Sequence, residues 1–246
     1  SPFIRSLDEL ALDRLNESER EEVYQVFAPE AHMRLYDRGI RRRLAPMLEG
    51  DIHRLKMVFS LLFSLPGAPM FVYGDEIGMG DDLTLDERVS VRTPMQWSNT
   101  KNAGFSQADK PFRNVISTGP FRYQLVNVED EEKAPDSLLN TVKKFIALRK
   151  ANPAIGCSHC NVLDTGSAAV LGLSYTWEGT TLITTHNFSA GIANVTLPGY
   201  DPKKFQEIAG NDIDSQEYAG TDAGEDNGDR ISLRPYGYRW FKSGAG

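Results

Sequence analysis

The run Ala68-Pro69-Met70-Phe71-Val72-Tyr73 is apolar without alternation, and Gly74 closes it. A strand buried on both faces reads this way, and such strands belong to parallel sheets covered by helices. What precedes it fits. Asp51 follows Gly50 and is a good helix N-cap, because its carboxylate can accept from free backbone N–H groups. Ile52, Leu55, Val58, Phe59, Leu62 and Phe63 then recur on one helical face, and Pro66-Gly67 ends the helix. A shorter apolar run, Phe3-Ile4-Arg5, supplies a first strand. A second helix begins near Asp136-Ser137, with Leu138, Leu139, Val142, Phe145, Ile146 and Leu148 on one face. Arg149-Lys150 suit the negative end of its dipole, and Asn152-Pro153 stops it. The order strand, helix, strand, loop, helix is one βαβα unit with a right-handed crossover. Two parallel strands do not form a stable sheet by themselves. The open edges must be covered by a second copy of the chain, by the long loop, or by polypeptide preceding this segment.

Between these elements, residues 11–26 read as a charged surface helix, and residues 34–49 carry Arg41-Arg42-Arg43, which reads as a solvated face. Residues 75–134 are rich in Asp, Gly, Pro and Asn, and a loop that long in a compact domain is usually functional.

Near residue 155 the pattern changes. Short alternating or β-branched runs follow one another at 168–175, 180–185, 192–197, 205–208, 231–233 and 238–241, separated by turns such as Glu178-Gly179 and Pro198-Gly199. This is the signature of an antiparallel β-sandwich. The expected domains are therefore 1–155, an α/β part, and 156–246, an all-β part. Cys157 and Cys160 have no second ligand pair, so two free thiols are expected rather than a zinc site. His186, inside a strand, reads as a satisfied core histidine. The acidic stretch Asp212 to Asp229 reads as a solvated loop before a loose calcium site.

A net charge of -7 argues against a nucleic-acid surface. No apolar run reaches the roughly 18 residues of a membrane helix. Only two cysteines in 246 residues describe no disulfide scaffold, so a reducing, cytoplasmic setting is expected.

In α/β folds the chemistry lies beyond the carboxyl ends of the strands. Asp8-Glu9 and Asp75-Glu76 stand at those two places. Here a resemblance becomes specific. Phe3-Ile4-Arg5-Ser6-Leu7-Asp8-Glu9-Leu10, Gly39-Ile40-Arg41-Arg42-Arg43-Leu44-Ala45-Pro46, Ser64-Leu65-Pro66-Gly67-Ala68-Pro69, Tyr73 to Asp82, Val91-Arg92-Thr93-Pro94-Met95-Gln96-Trp97 and Pro235 to Phe241 occur in order across the chain. They resemble segments of glycoside hydrolase family 13, the α-amylase family. The Arg92–Trp97 loop is similar to that of its α-glucosidases and sucrose-acting members as well, which stay the alternative, and the Gly39–Pro46 stretch favours its trehalose synthase branch. That resemblance implies the last two β/α units of a (β/α)8 barrel, strands seven and eight, followed by a β-sandwich. A full barrel takes about 250 residues, so strands one to six, and with them the nucleophile and the general acid, are expected to be absent. The resemblance implies that Asp8 is the third family carboxylate, which binds sugar hydroxyls and holds the ring distorted. It also implies sugar-side roles for Arg92, Arg88 and Arg5, structural roles for Asp75 and Glu76, and loop packing by Gln96 and Trp97. The substrates it implies are maltose and trehalose. No cofactor is implied, beyond a structural calcium in the whole enzyme. One departure stands out: where the family has Asn-His before the aspartate, this chain has Ser6-Leu7, and leucine donates no hydrogen bond from its side chain.

Overall fold

A computed structural model describes residues 1–211 and 230–244. The acidic stretch Asp212 to Asp229 lies outside the described residues. The chain divides into two compact units, Phe3–Leu55 with Met70–Lys144, and Ser1–Pro2 with Lys56–Pro69 and Phe145–Gly246.

The first unit begins with a small antiparallel sheet of two-residue strands, β1 (Leu10–Ala11), β2 (Arg34–Leu35) and β3 (Gly39–Ile40), with β3 in the middle. Helix α1 (Glu17–Phe27) opens on a capping box: Asn16 accepts from the Glu19 N–H at 3.0 Å, and Glu19 accepts from the Asn16 N–H at 3.0 Å. The helix therefore starts later than periodicity suggests, because Leu10 and Ala11 pair with Ile40 and Gly39 instead. Helices α2 (Leu44–Met47) and α3 (Ile52–Ser64) follow, only the first turn of α3, up to Leu55, belonging to this unit, and Asp51 caps α3 by accepting from the N–H groups of His53 (2.8 Å) and Arg54 (3.1 Å).

The two expected parallel strands are reduced to a single parallel bridge, Phe3 to Met70. The physical reason is visible in their exposure: Phe3 and Met70 are each more than half exposed, at 55% and 56%. A parallel ladder covered on neither face gains too little burial to extend. Beyond Tyr73 the chain turns through Gly74, whose φ of 86° is left-handed and whose added Cβ would lie 2.3 Å from Met79 Sδ. The long loop is ordered by short 3-10 turns, by helix α4 (Val128–Lys133) and by a small core of Ile77, Met79 and Met95. Helix α5 (Leu138–Ala151) follows α4.

In the second unit, α6 (Ala154–Cys157) leads into β4 (Asn161–Leu163), β5 (Val170–Trp177), β6 (Thr180–Asn187), β7 (Ala193–Thr196), β8 (Phe205–Gly210), β9 (Arg230–Leu233) and β10 (Tyr238–Ser243). One sheet has the order β4-β5-β6-β10-β8, the other pairs β7 with β9, and every pairing is antiparallel. Residues of both sheets, including Val170, Ile183, Val195, Ile231 and Phe241, share one core, as a sandwich requires. The β5–β6 hairpin turns on Glu178 and Gly179, with φ of 49° and 76°. Positive φ at both central residues is the type I′ geometry that matches strand twist. Ser60, in α3, links helix to sheet: the Trp240 indole N–H donates to its Oγ at 2.8 Å, and that oxygen lies 3.0 Å from His186 Nε2. Phe145 stacks on Phe63 and Trp240 with centroids 6.2 and 6.0 Å apart. Cys157 is exposed, and Cys160 Sγ lies 3.1 Å from the Tyr175 hydroxyl, both cysteines being free.

Candidate active-site remnant

Asp8 and Glu9 follow the Phe3–Met70 bridge, where an α/β fold presents its chemistry. They lead opposite lives. The Asp8 side chain is 59% exposed, whereas that of Glu9 is only 6% exposed. Arg92 donates from Nη2 to Asp8 Oδ1 at 2.6 Å and from Nε to the Leu7 carbonyl at 2.9 Å. Leu7 thus serves the cluster through its backbone, which its side chain cannot. Arg88 grips Glu9 with two bonds, Nε to Oε2 at 2.7 Å and Nη2 to Oε1 at 3.3 Å, and presents Nη1 to Asp8 Oδ1 at 3.6 Å. Arg38 reaches the same Glu9 Oε1 at 3.3 Å, and the Tyr36 ring lies 5.5 Å from the Arg88 guanidinium. The hydrogen bond from Arg88 holds the Glu9 carboxyl down at about 2, against the cost of burial.

Arg5 occupies a different position from the other arginines. It is 2% exposed and spends its donors on carbonyls: Nε on Arg42 at 2.5 Å, Nη1 on Ser6 and Asp8, and Nη2 on Ile40 at 3.4 Å. Burial lowers its pKa to about 10. In this geometry it shapes the segment that carries Asp8 from beneath.

The arginine triplet is not a solvated face. Arg43 is 1% exposed, and each arginine fastens a different part of the long loop. Arg41 donates to the carbonyls of Leu83 (3.3 Å) and Leu85, and its Nε lies 3.4 Å from Ser90 Oγ. Arg42 pairs with Asp81 at 3.4 Å. Arg43 donates to the carbonyls of Val91 (3.1 Å) and Tyr73 and pairs with Asp75 at 3.1 Å. Burial pushes the carboxyls of Asp75 and Asp81 upward, opposed by Arg43 and Arg42 respectively. These bonds fix the turn Glu87–Val91, which carries Arg88 and leads to Arg92. Asp75 is thereby a structural partner.

Arg92 also borders a cavity of about 620 Å³ whose wall includes Tyr73, Glu76, Trp97, Phe105, Phe112 and Arg113. Three buried atoms of that wall, Thr93 Oγ1, Glu76 Oε2 and Arg113 Nη1, have no hydrogen-bond partner among the described residues. Burial raises the Glu76 carboxyl. Gln96 is fully buried and donates to the carbonyls of Phe121 (3.2 Å) and Val126 (2.5 Å), so it packs the loop, while Trp97 is half exposed. Among the described residues, no group of three or more His, Cys, Asp or Glu side chains is placed to hold a metal ion. None of their helices is long and apolar enough to cross a membrane.

Glu9 was nominated with Asp8 by its position, but its ion pair with Arg88 and the burial of the arginine triplet were what patterning alone did not place. The available signal was the excess of distant acids, Asp75 and Asp81, over local partners.

An exposed aspartate held by arginine beyond a parallel bridge, with an antiparallel sandwich later in the chain, marks an α-amylase-type protein. The chain belongs to the α-amylase family: the model of that family's catalytic domain matches residues 30–157, more than half of the chain. Its similarity is to trehalose synthases in particular. It is 37% identical over 242 residues to trehalose synthase of Thermus thermophilus, covering 97% of this chain and 24% of that protein. It is 42% identical over 172 residues to a trehalose synthase/amylase of Mycobacterium tuberculosis, covering 69% of this chain and 28% of that protein. The chain thus spans about a quarter of the length of these curated relatives. In fold it matches the crystal structure of Bacillus licheniformis trehalose-6-phosphate hydrolase with a TM-score of 0.62 at 21% identity, covering 78% of this chain and 40% of that one. The fold is accordingly a partial α-amylase fold.

Proposed function

We propose that this chain is the part of a maltose–trehalose-interconverting enzyme that supplies the sugar-binding aspartate but not the bond-cleaving pair. Residues 1–155 then complete a (β/α)8 barrel as its strands seven and eight, and residues 156–246 form the appended sandwich. A retaining enzyme needs two carboxyl groups about 5 Å apart, one as nucleophile and one as acid. In this reading both come from the portion of the relatives that the chain does not match. Asp8 binds sugar hydroxyls and strengthens its hold as the ring flattens and gains positive charge. Arg92 holds Asp8 by Oδ1 and, with Arg88, closes that side of the subsite. The long loop excludes water, so glucose is transferred and not hydrolysed.

The observation that carries this reading is the ion pair of Asp8 with Arg92 at 2.6 Å in an exposed position. Asp75, by contrast, is buried with its partner. The partner of the open face is the barrel portion: Phe3, Met70, Trp97 and Phe112 are all at least half exposed there. The test is direct. The isolated chain, given maltose, forms neither trehalose nor glucose. Refolded with the barrel portion of the Thermus thermophilus relative, it turns maltose over, and Asp8→Asn abolishes that. Turnover by the isolated chain would overturn the reading, and so would an active reassembled enzyme indifferent to Asp8→Asn. A non-catalytic carbohydrate-binding or dimerisation module is the second reading. The same free arginine–aspartate pair would then bind maltose in calorimetry with no turnover in either preparation.

A further inference from the structure

We infer that Glu9 is a positioning residue that withholds Arg88 from Asp8, so that Asp8 keeps a carboxylate oxygen for its ligand. The inference rests on the reading of Asp8 as a sugar-binding carboxylate, although its geometry does not. Adjacent carboxylates compete here for one guanidinium. Arg88 has a forked face, Nε with Nη2, and Glu9 takes it with bonds of 2.7 and 3.3 Å. What remains for Asp8 is Nη1 alone, at 3.6 Å, outside hydrogen-bond range. Arg92 meets the same Asp8 oxygen, Oδ1, at 2.6 Å. Both arginine contacts therefore fall on one oxygen.

Glu9 wins this competition because it cannot move. Its side chain is nearly buried, and Arg38 holds Oε1 from the other direction at 3.3 Å. Its Cγ presses on Gly39 so closely that an added Cβ there would lie 2.7 Å away. The Tyr36 ring supports Arg88 from its face. Asp8, by contrast, stands in solvent, where an ion pair is weakly held. Remove the Glu9 charge, and the strongest remaining acceptor for the Arg88 fork is Asp8. Two arginines would then close on both Asp8 oxygens and leave a sugar hydroxyl nothing to donate to.

The experiment is a double-mutant cycle on the isolated chain, read by carbon-13 NMR titration of the Asp8 carboxyl. Glu9→Gln preserves shape and one acceptor. It should lower the Asp8 midpoint by about one pH unit, the usual effect of a newly engaged cation. Part of any shift is simple loss of the neighbouring charge. Arg88→Ala against Glu9→Gln/Arg88→Ala measures that part, which should be smaller by half or more. The inference is overturned if Glu9→Gln leaves Asp8 unmoved or raises its midpoint, or if the shift is as large without Arg88. Should Glu9→Gln not fold, the unaltered chain decides the matter. The Arg88 Nε–H resonance must follow the Glu9 carboxyl on acidification, and following Asp8 instead overturns the inference. All these readings are taken without sugar or turnover. Failure of the maltose assay would therefore leave them standing, and their failure would leave that assay untouched.

Discussion

Acidification below neutrality should destabilise the second unit through one residue, His186. Its ring is fully buried on β6, with Nε2 3.0 Å from Ser60 Oγ and Nδ1 without a partner among the described residues. Burial drives its pKa from 6.5 down to about 3. The folded state thus keeps the ring neutral, while the unfolded chain takes up a proton near pH 6.5. Stability is full above pH 6.5 and falls as the pH drops toward about 3. One unit of pKa difference corresponds to about 1.4 kcal/mol. At pH 5 the unfolded histidine has gained about 2 kcal/mol of protonation that the folded one has not. Against a total stability of about 5–15 kcal/mol, that is a large fraction. With a urea slope of about 1–3 kcal/mol per molar, the midpoint should move by roughly 1 M between pH 7.5 and pH 5. The buried Trp240, hydrogen-bonded to the same Ser60, makes tryptophan emission a local probe. Asp75, Asp81 and Glu76 have raised carboxyls and act in the opposite sense, adding folded-state stability on acidification. His186→Gln separates these terms: it should remove most of the difference between the two pH values. A change of midpoint between pH 7.5 and 5 that is the same in His186→Gln as in the parent chain would refute the argument.

Two further outcomes follow from the first unit. Arg43→Ala leaves Asp75 buried and unpaired and should cost about 3–5 kcal/mol in urea unfolding, of which Arg43→Ala/Asp75→Asn should recover a substantial part; no recovery would mean that the carbonyl bonds of Arg43 outweigh its ion pair. Asp51→Ala removes the cap of α3 and should cost about 1 kcal/mol, whereas Asp51→Ser should restore most of it; equal stability of all three forms would show that Asp51 does not set the helix start.

The sandwich strands were legible because each carries a short alternating run between turn residues; their pairings were not, since only β4–β5 and β5–β6 join strands adjacent in sequence. The edge strand β4 was not. It has three residues, and Val162 is 72% exposed, so burial imposes no alternation on it. The helices α3 and α5 were legible to within a residue or two from their apolar faces and their caps. The parallel strands were legible as apolar runs but do not form, since a run records what a strand needs and not whether the chain provides it. The two-residue strands β1 to β3 lie below any periodic signal. Of the site, Asp8 was nominated with Glu9 by its position after the first apolar run, and resemblance alone pointed to Arg88 and Arg92.

The arginine triplet shows where charge patterning fails. A run of cations is solvated when no acceptor can reach it at low cost, and local sequence offers Arg41, Arg42 and Arg43 none. Their acceptors come from 30 to 49 residues further along, in a loop with many turns and so many carbonyls outside any ladder. A loop of that kind must place its backbone oxygens somewhere, and arginine, with five donors on a rigid plane, can collect several at once. The charge run and the irregular loop are therefore complementary halves of one solution. The same bonds that satisfy the loop hold the Glu87–Val91 turn, and through it the two arginines that meet Asp8. The aspartate owes its geometry to residues that make no contact with it.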